Sequence, residues 1–329
     1  MNILITGVAG LIGSNLADWI NKNKSEIKVV GMDNLSGGFI DNINDQVDFY
    51  QLDISDHDID SIFDQYRFDI VFHFAAYAAE GLSPFVRKFN YTNNLVTTAK
   101  LITLSIKYGI GRFVFTSSMA TYGRGNPPFN ETDELRPIDP YGIAKLACEM
   151  DLRVANEQHG LDYCIIRPHN VYGPKQNIWD KYRNVLGIWM NGYLNDETIV
   201  IYGDGKQRRS FSYIGDCVAP LWKAGIEKKA SGEIINLGGT TNYSIDEASD
   251  IVIEVMGGGK KEFKEARHEV KDAWSTWEKS EKLLGYKDNT SLKQGLTVMW
   301  EWVLKQPKRP KQIWEIYELD KGIYEYWQR

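Results

Sequence analysis

The chain opens with NILITG at 2–7, a short apolar run closed by glycine, and the next apolar run is IKVVGMDN at 27–34. Between them LIGSNLADWINKN (11–23) repeats its apolar residues at helical intervals, so the first unit reads strand, helix, strand. The alternation continues with VDFYQLDI (47–54), with DIVFHFAA (69–76) after the polar stretch SDHDIDSIFDQYRF, and with GRFVFTSS (111–118) after a helical pattern over 90–108. LDYCIIRPHNVYG (161–173) supplies a further strand. Strands that are apolar at nearly every position, separated by amphipathic helices, predict a parallel sheet covered on both faces. This is the doubly wound α/β class, in which ligands bind beyond the carboxyl ends of the strands.

From 173 onward the alternation weakens. TIVIYG (198–203) and GEIINLGG (232–239) stand isolated among the helical stretches YSIDEASDIVIEVM and SLKQGLTVMWEWVLKQ. The pattern predicts a main cofactor-holding domain over 1–172 and a smaller mixed α/β substrate lobe over 173–329, with part of 199–221 returning to the first domain.

Composition narrows the class. The chain has 329 residues, 43% of them hydrophobic and 25% charged, with a formal net charge of -6. No segment approaches the roughly 18 consecutive apolar residues of a membrane span, and MNILITGVAG lacks a basic leader, so a soluble cytoplasmic protein is expected. Mild acidity speaks against nucleic acid as the partner, and the basic run KQPKRPK (305–311) reads as a solvated turn leading into a packed tail. Cys148, Cys164 and Cys217 form no CxxC pair and the five histidines no HExxH, so buried thiols and no metal are expected.

The first loop, TGVAGLIGSN, spaces Gly7, Gly10 and Gly13 as GxxGxxG around Leu11 and Ile12. A tight turn, close approach of backbone to a pyrophosphate, and close helix packing each favour a residue without a β-carbon, and the following helix would aim free amides at the phosphates. Asp33 ends the second strand 20 residues after Gly13, where a carboxylate can accept from the adenosine ribose hydroxyls. Asn34 follows, then LSGG with no Lys or Arg to receive a 2′-phosphate, so NAD is favoured over NADP. Asp53 and Ile54 close the third strand as adenine contacts, and Phe74, Ala75 and Ala76 close the fourth, with small side chains that leave room for a cofactor.

DPYGIAK places Tyr141 four residues ahead of Lys145, on one face of a helix, and Ser118 lies 23 residues earlier at a strand end. A phenol with a pKa of about 10 is a poor base at neutral pH unless a cation favours its anion. Lys145 and an oxidised nicotinamide would both do so, with Ser118 bonded to the substrate hydroxyl.

With these motifs in this order, the chain resembles the extended short-chain dehydrogenases/reductases, specifically the sugar-nucleotide epimerase and dehydratase family. The resemblance runs through TGVAGLIGSN, DNL, HFAA, TSSMATYG, YGIAK, RPHNVYGP, GDGKQRRSFSYIGDCV and LLGY, over roughly residues 1–286. It implies a Rossmann domain that holds NAD, a second lobe for a nucleotide sugar, and a homodimer formed through the helices near 90–108 and 141–159. By the same resemblance Asn170 lies near the diphosphate and Arg209 neutralises it. Arg267 is a second phosphate ligand, although ARHEVK departs from the commoner RPGDV.

Among the family's reactions, the residues are most similar to those of C4 epimerases. The acidic pair of 4,6-dehydratases would directly follow Ser118, where Met119 and Ala120 stand; TDE (132–134) is displaced, and the cysteine of 3,5-epimerases is absent. UDP-glucose and UDP-galactose are the default substrates, with UDP-N-acetylglucosamine and UDP-glucuronate as alternatives. Ala78 stands where many glucose epimerases carry lysine, and Ala273 would leave room at C2. Tyr77, Ser83 and Thr121 are hydroxyl donors for a uronate. A nucleotide-sugar dehydrogenase or reductase and a non-catalytic NAD sensor are the readings from other classes.

Overall fold

The computed structural model describes residues 1–327. Its main layer is a seven-stranded sheet built from β1 (Asn2–Thr6), β2 (Lys28–Asp33), β3 (Asp48–Gln51), β4 (Ile70–His73), β5 (Arg112–Thr116), β6 (Tyr163–Pro168) and β7 (Glu233–Leu237). The order is β7-β6-β5-β4-β1-β2-β3 and every pairing is parallel. Every residue of β4 and β5 is buried, which is why these strands read as unbroken apolar runs.

Alternate side chains serve opposite faces. Ile3, Ile5, Phe72 and Val114 pack with Leu16 and Ile20 of helix Leu11–Asn23 and with Leu221 and Trp222 of helix Ile214–Ile226. Leu4, Val71, Phe113 and Phe115 pack with Leu101 of helix Thr97–Lys107 and with Cys148 and Leu152 of helix Pro140–His159. The chain winds outward from β1 to β3, then returns to lay β4 on the other side of β1. That reversal opens a crevice at the carboxyl ends of β1 and β4, where Gly7 and Phe74 emerge.

The smaller lobe holds short sheets. Ile199–Tyr202 pairs with Lys261–Lys264, and Arg208–Ser210 pairs with Asn242–Ser244 and Asp272–Ala273. Helices Val185–Leu194, Ile245–Met256 and Leu292–Val303 cover them around Leu186, Trp189, Ile201, Phe211, Val252 and Leu296.

The chain crosses back to the main domain after Ser210. Ile199–Tyr202 and Arg208–Ser210 stay in the smaller lobe, whereas Ile214–Ile226 packs on the first helix and Glu233–Leu237 extends the main sheet as β7. Burial explains the exchange. Residues 199–202 alternate buried with half-buried and so suit a sheet covered on one face, while Ile235, Asn236 and Leu237 are all buried beside β6.

The terminal segment packs rather than trails. Trp314 meets Phe89 at 4.6 Å between ring centroids, and Trp327 meets Tyr182 at 5.0 Å and Phe85 at 5.9 Å. Within the basic run, Arg309 pairs with Asp41 and stacks 4.1 Å from the Phe39 ring, and Lys311 pairs with Glu197.

Candidate active site

A cavity of about 760 Å³ follows the carboxyl edge of the sheet into the smaller lobe. Its cofactor end is built on the glycine loop. Gly7 has φ +71°, and a β-carbon there would stand 2.7 Å from the Ala75 amide nitrogen; one on Gly13 would stand 2.3 Å from the Gly7 carbonyl oxygen. Only glycine fits both places, and the clearance they keep is lined by Gly10, Leu11 and Ile12. The helix that begins at Leu11 has no side-chain cap and no acidic residue in its first turn, so its amide dipoles face the cavity uncompensated.

Asp33 ties this loop to the end of β2, accepting from the Ala9 amide at 3.0 Å and the Leu35 amide at 2.8 Å. Burial raises its pKa above the ordinary carboxylate value, against the pull of those two donors. Asn34 donates to Asp53 at 2.7 Å, and Ser55 donates to the other Asp53 oxygen. Burial opposes the Asp53 charge, but these bonds outweigh it and hold the pKa below the usual value. Ile54, Phe74, Ala75 and Ala76 complete this wall. A cradle that any β-carbon would fill, a free helix N-terminus and a carboxylate at the end of β2 fit the pyrophosphate and ribose of NAD.

Helix Pro140–His159 carries Tyr141 and Lys145. Asp139 caps it by accepting from the Gly142 amide at 2.8 Å, Pro140 occupies the first turn, and Gly160 closes it at φ +72°. Tyr141, Lys145 and Glu149 recur every four residues and share the buried face. Lys145 donates to the Thr116 carbonyl at 2.7 Å, with Nζ 5.9 Å from the centre of the Tyr141 ring. Burial brings its pKa down to about 8. Burial, and then the Glu80 carboxylate, push the Tyr141 phenol well above its usual value, while Ser118 pulls the other way. A phenolate here requires more positive charge than Lys145 supplies, which a cationic nicotinamide would provide.

Ser118 Oγ accepts from the Ala120 amide at 3.1 Å and lines the cavity beside Tyr141. Behind it Arg167 grips Glu149 with two bonds of 2.9 and 2.6 Å, and Ser117 donates to Glu149 at 2.5 Å. Arg167 also donates to Tyr122 at 2.9 Å, and Tyr122 to Asn236 of β7 at 2.8 Å. This polar network fixes the end of β5 against the helix of Tyr141. The turn Thr92–Val96, a π-helical interruption, places Asn94 to accept from the Tyr77 amide at 2.8 Å and donate to its carbonyl at 3.2 Å.

At the other end, Asn170 sits at φ +33° and donates to the Ser210 carbonyl at 2.9 Å. Arg209 and Arg267 line the cavity. Arg209 is held by Glu269 at 3.2 Å and by the Val270 carbonyl at 2.7 Å, and Arg267 stacks 4.2 Å from the centre of the Tyr202 ring. Ala78 and Ala273 also contribute to the wall.

Apart from the hydroxyls considered for a uronate, the structure brings the residues expected to hold cofactor and substrate to one cavity. The hydroxyl donors suggested for a uronate are committed elsewhere: Tyr77 donates to Asp180 at 3.1 Å, Ser83 to the Glu80 carbonyl at 2.8 Å, and Thr121 to the Ser118 carbonyl at 2.8 Å. Sequence reasoning missed Glu80, Arg183, Gln176 and the terminal Lys321 and Tyr324, all of which reach the cavity. Arg183 arrives against Gly37 from 146 positions away, paired to Asp180 at 2.9 Å, so no local pattern announces it. Sequence reasoning also passed over Asp139, which caps the Tyr141 helix and lines the cavity. Cys148, Cys164 and Cys217 are buried free thiols, and no group of three or more His, Cys, Asp or Glu among the described residues is placed to hold a metal.

Comparison with known proteins agrees with this geometry. The model of the NAD dependent epimerase/dehydratase family matches residues 3–238. A UDP-glucose 4-epimerase from Thermotoga maritima, solved with UDP-glucose, is 32% identical with a TM-score of 0.88, covering 93% of this chain and 99% of its own. A UDP-glucuronic acid 4-epimerase from Bacillus cereus, solved with UDP-glucuronic acid and NAD, is 30% identical with a TM-score of 0.85, covering 92% and 99%. A UDP-N-acetylglucosamine 4-epimerase from Methanobrevibacter ruminantium M1, in complex with UDP-N-acetylmuramic acid, is 28% identical with a TM-score of 0.84, covering 92% and 98%. A glycine cradle at the end of β1, Tyr141 and Lys145 on one helix face, and a family match over more than two thirds of the residues lead to one conclusion: the chain belongs to the NAD dependent epimerase/dehydratase family.

Proposed function

We propose that this chain binds NAD and a nucleoside diphosphate hexose and inverts the sugar at C4 through a 4-keto intermediate, with UDP-glucose and UDP-galactose as the substrate pair. The observation that carries the reading is the convergence of Ser118, Tyr141 and Lys145 in the same cavity as the glycine loop, Arg209 and Arg267. NAD, held by the glycine loop and Asp33, would supply reversible hydride exchange at C4. Tyr141 takes the proton of the 4-hydroxyl while Ser118 holds that oxygen, and the Lys145 ammonium stabilises the phenolate. Arg209 and Arg267, with Asn170 beside them, anchor the diphosphate while the hexose turns within the pocket.

The environment of Ser118 supports epimerisation over dehydration. Met119 and Ala120 follow it, and Thr132, Asp133 and Glu134 are exposed residues outside the cavity wall, where Asp133 caps Asn130 and Glu134 pairs with Arg136. A proton relay to C5 and C6 therefore has no acid directly beside the Ser118 hydroxyl.

The same reading includes a homodimer. Ile143, Met150 and Val154 are 43%, 58% and 44% exposed along the outer face of the Tyr141 helix, and Val96, 55% exposed, begins the neighbouring helix. An apolar stripe of this kind suits a second copy.

The test is proton NMR of the purified protein with NAD and, separately, UDP-glucose, UDP-N-acetylglucosamine and UDP-glucuronate. Appearance of a C4 epimer without net NADH supports the proposal, whereas stoichiometric NADH would identify a dehydrogenase. No conversion of any of the three would sink the epimerase reading.

A further inference from the structure

Glu80 lies between β4 and the one-turn helix Ser83–Phe85, and its carboxylate is open to the cavity. It has no hydrogen-bond or ion-pair partner among the described residues. Its backbone is fixed, because the Ser83 hydroxyl donates to the Glu80 carbonyl at 2.8 Å and accepts from the Tyr141 amide at 3.2 Å. Glu80 is thereby tied to the turn that carries the proposed base. Asp139 lines the same wall, with one oxygen on the Gly142 amide. The terminal segment closes this side: Trp327 lies 3.4 Å from where a Gly81 β-carbon would stand, and Tyr324 accepts from the His268 amide at 3.1 Å.

We propose that Glu80, with Asp139, selects the sugar, admitting a hexose whose C6 is uncharged and rejecting one that carries a carboxylate there. The proposal rests on the nucleotide-sugar reading above. Sugar hydroxyls donate to a free carboxylate, whereas a uronate would set a further anion against Glu80 and Asp139 on one wall of the cavity. Among the described residues no cation forms an ion pair with Glu80. Arg183 is paired with Asp180, and Arg209 with Glu269. The hydroxyls considered for a uronate, those of Tyr77, Ser83 and Thr121, donate inside the protein.

The charged groups that face Glu80 are Asp139, Arg209, Glu269 and Arg267, with Tyr141 adjacent and His268 facing Asp139. Desolvation by the enclosing wall, then Asp139, push the Glu80 pKa up to about 7. Rejection is accordingly strong at pH 8, when Glu80 is charged, and relaxes at pH 6, when it is protonated.

Calorimetric titration of the NAD-loaded Tyr141→Phe protein with UDP-glucose and UDP-glucuronate reads selection without turnover. At pH 8 UDP-glucuronate is expected to bind about tenfold or more weakly than UDP-glucose. Glu80→Gln, which keeps the size and removes the charge, should bring the two affinities together and abolish the difference between pH 8 and pH 6. Asp139→Asn preserves the cap and should narrow the gap in the same direction, which provides the comparison if Glu80→Gln does not fold. Equal affinities in the parent, or a ratio unmoved by Glu80→Gln, would overturn the selection and leave the nucleotide-sugar reading intact. If neither sugar nucleotide binds, that reading fails and the selection fails with it.

Discussion

Arg167 and Glu149 meet as a buried bidentate pair, 1% and 0% exposed, that joins β6 to the helix carrying Tyr141 and Lys145. Two charges removed from water are tolerated because each finds further partners: Ser117 donates to Glu149, and Tyr122 accepts from Arg167. Arg167→Met leaves the Glu149 charge uncompensated and should cost about 3–5 kcal/mol in urea denaturation. Adding Glu149→Leu to Arg167→Met should recover most of that loss, and a neutral single variant would show that the pair does not hold the helix.

Tyr141→Phe keeps the ring and removes the proposed proton acceptor. Turnover should fall about a hundredfold or more while NAD affinity stays within error of the parent. Near-normal turnover would remove Tyr141 from the chemistry.

Asp33→Ala removes both the proposed ribose acceptor and the clamp on the Ala9 and Leu35 amides. NAD affinity measured by calorimetry should drop about tenfold or more, the loss of charge-assisted hydrogen bonds. Unchanged affinity would place the adenosine elsewhere.

His73 and His169 are buried and held neutral, with desolvation bringing both pKa values down to about 3. For His73 the bonding partners fix the tautomer: Thr98 donates to the Asn94 carbonyl, so it accepts from His73 Nε2, and Thr6 donates to Nδ1. Below about pH 6.5 the unfolded chain takes up protons that the folded chain refuses, so stability is full above that pH and falls beneath it. Each histidine contributes a slope of about 1.4 kcal/mol per pH unit, and Glu80, whose folded pKa is raised, acts in the opposite direction between its unfolded and folded values. Denaturation midpoints between pH 6.5 and 5 should fall in the parent and fall less steeply in His73→Gln. Identical slopes would show that His73 takes up its proton without unfolding.

Met150→Glu puts a charge at the centre of the exposed stripe on the Tyr141 helix. Sedimentation should report a dimer for the parent and a shift toward monomer for the variant. A parent that sediments as a monomer would refute the dimer directly.

The parallel sheet was legible because burial on both faces leaves a plain signature, unbroken apolar strands separated by amphipathic helices. The cofactor loop and the Tyr141 helix were legible for a related reason, since each is a local backbone requirement written in a few adjacent residues. The sugar wall was not. Glu80 reads as a surface carboxylate, and only the fold shows that the surface it lies on is the cavity that Tyr324 and Trp327 also line, while Arg183 enters the site only through tertiary packing. The β7 segment was grouped with the smaller lobe because five residues, three of them apolar, do not announce which of two sheets they will join.

That placement of β7 has a consequence for engineering. The main sheet is completed only at Leu237, after the chain has already built Val185–Leu194 and Ile199–Ser210 into the other lobe. The two lobes are interleaved, so a fragment cut at 172 would expose the β6 edge and the face of the first helix that Ile214–Ile226 covers. Substrate preference cannot be moved between relatives as one contiguous cassette. A chimaera must exchange at least the segments before and after β7 together, with both splice points chosen outside the strand.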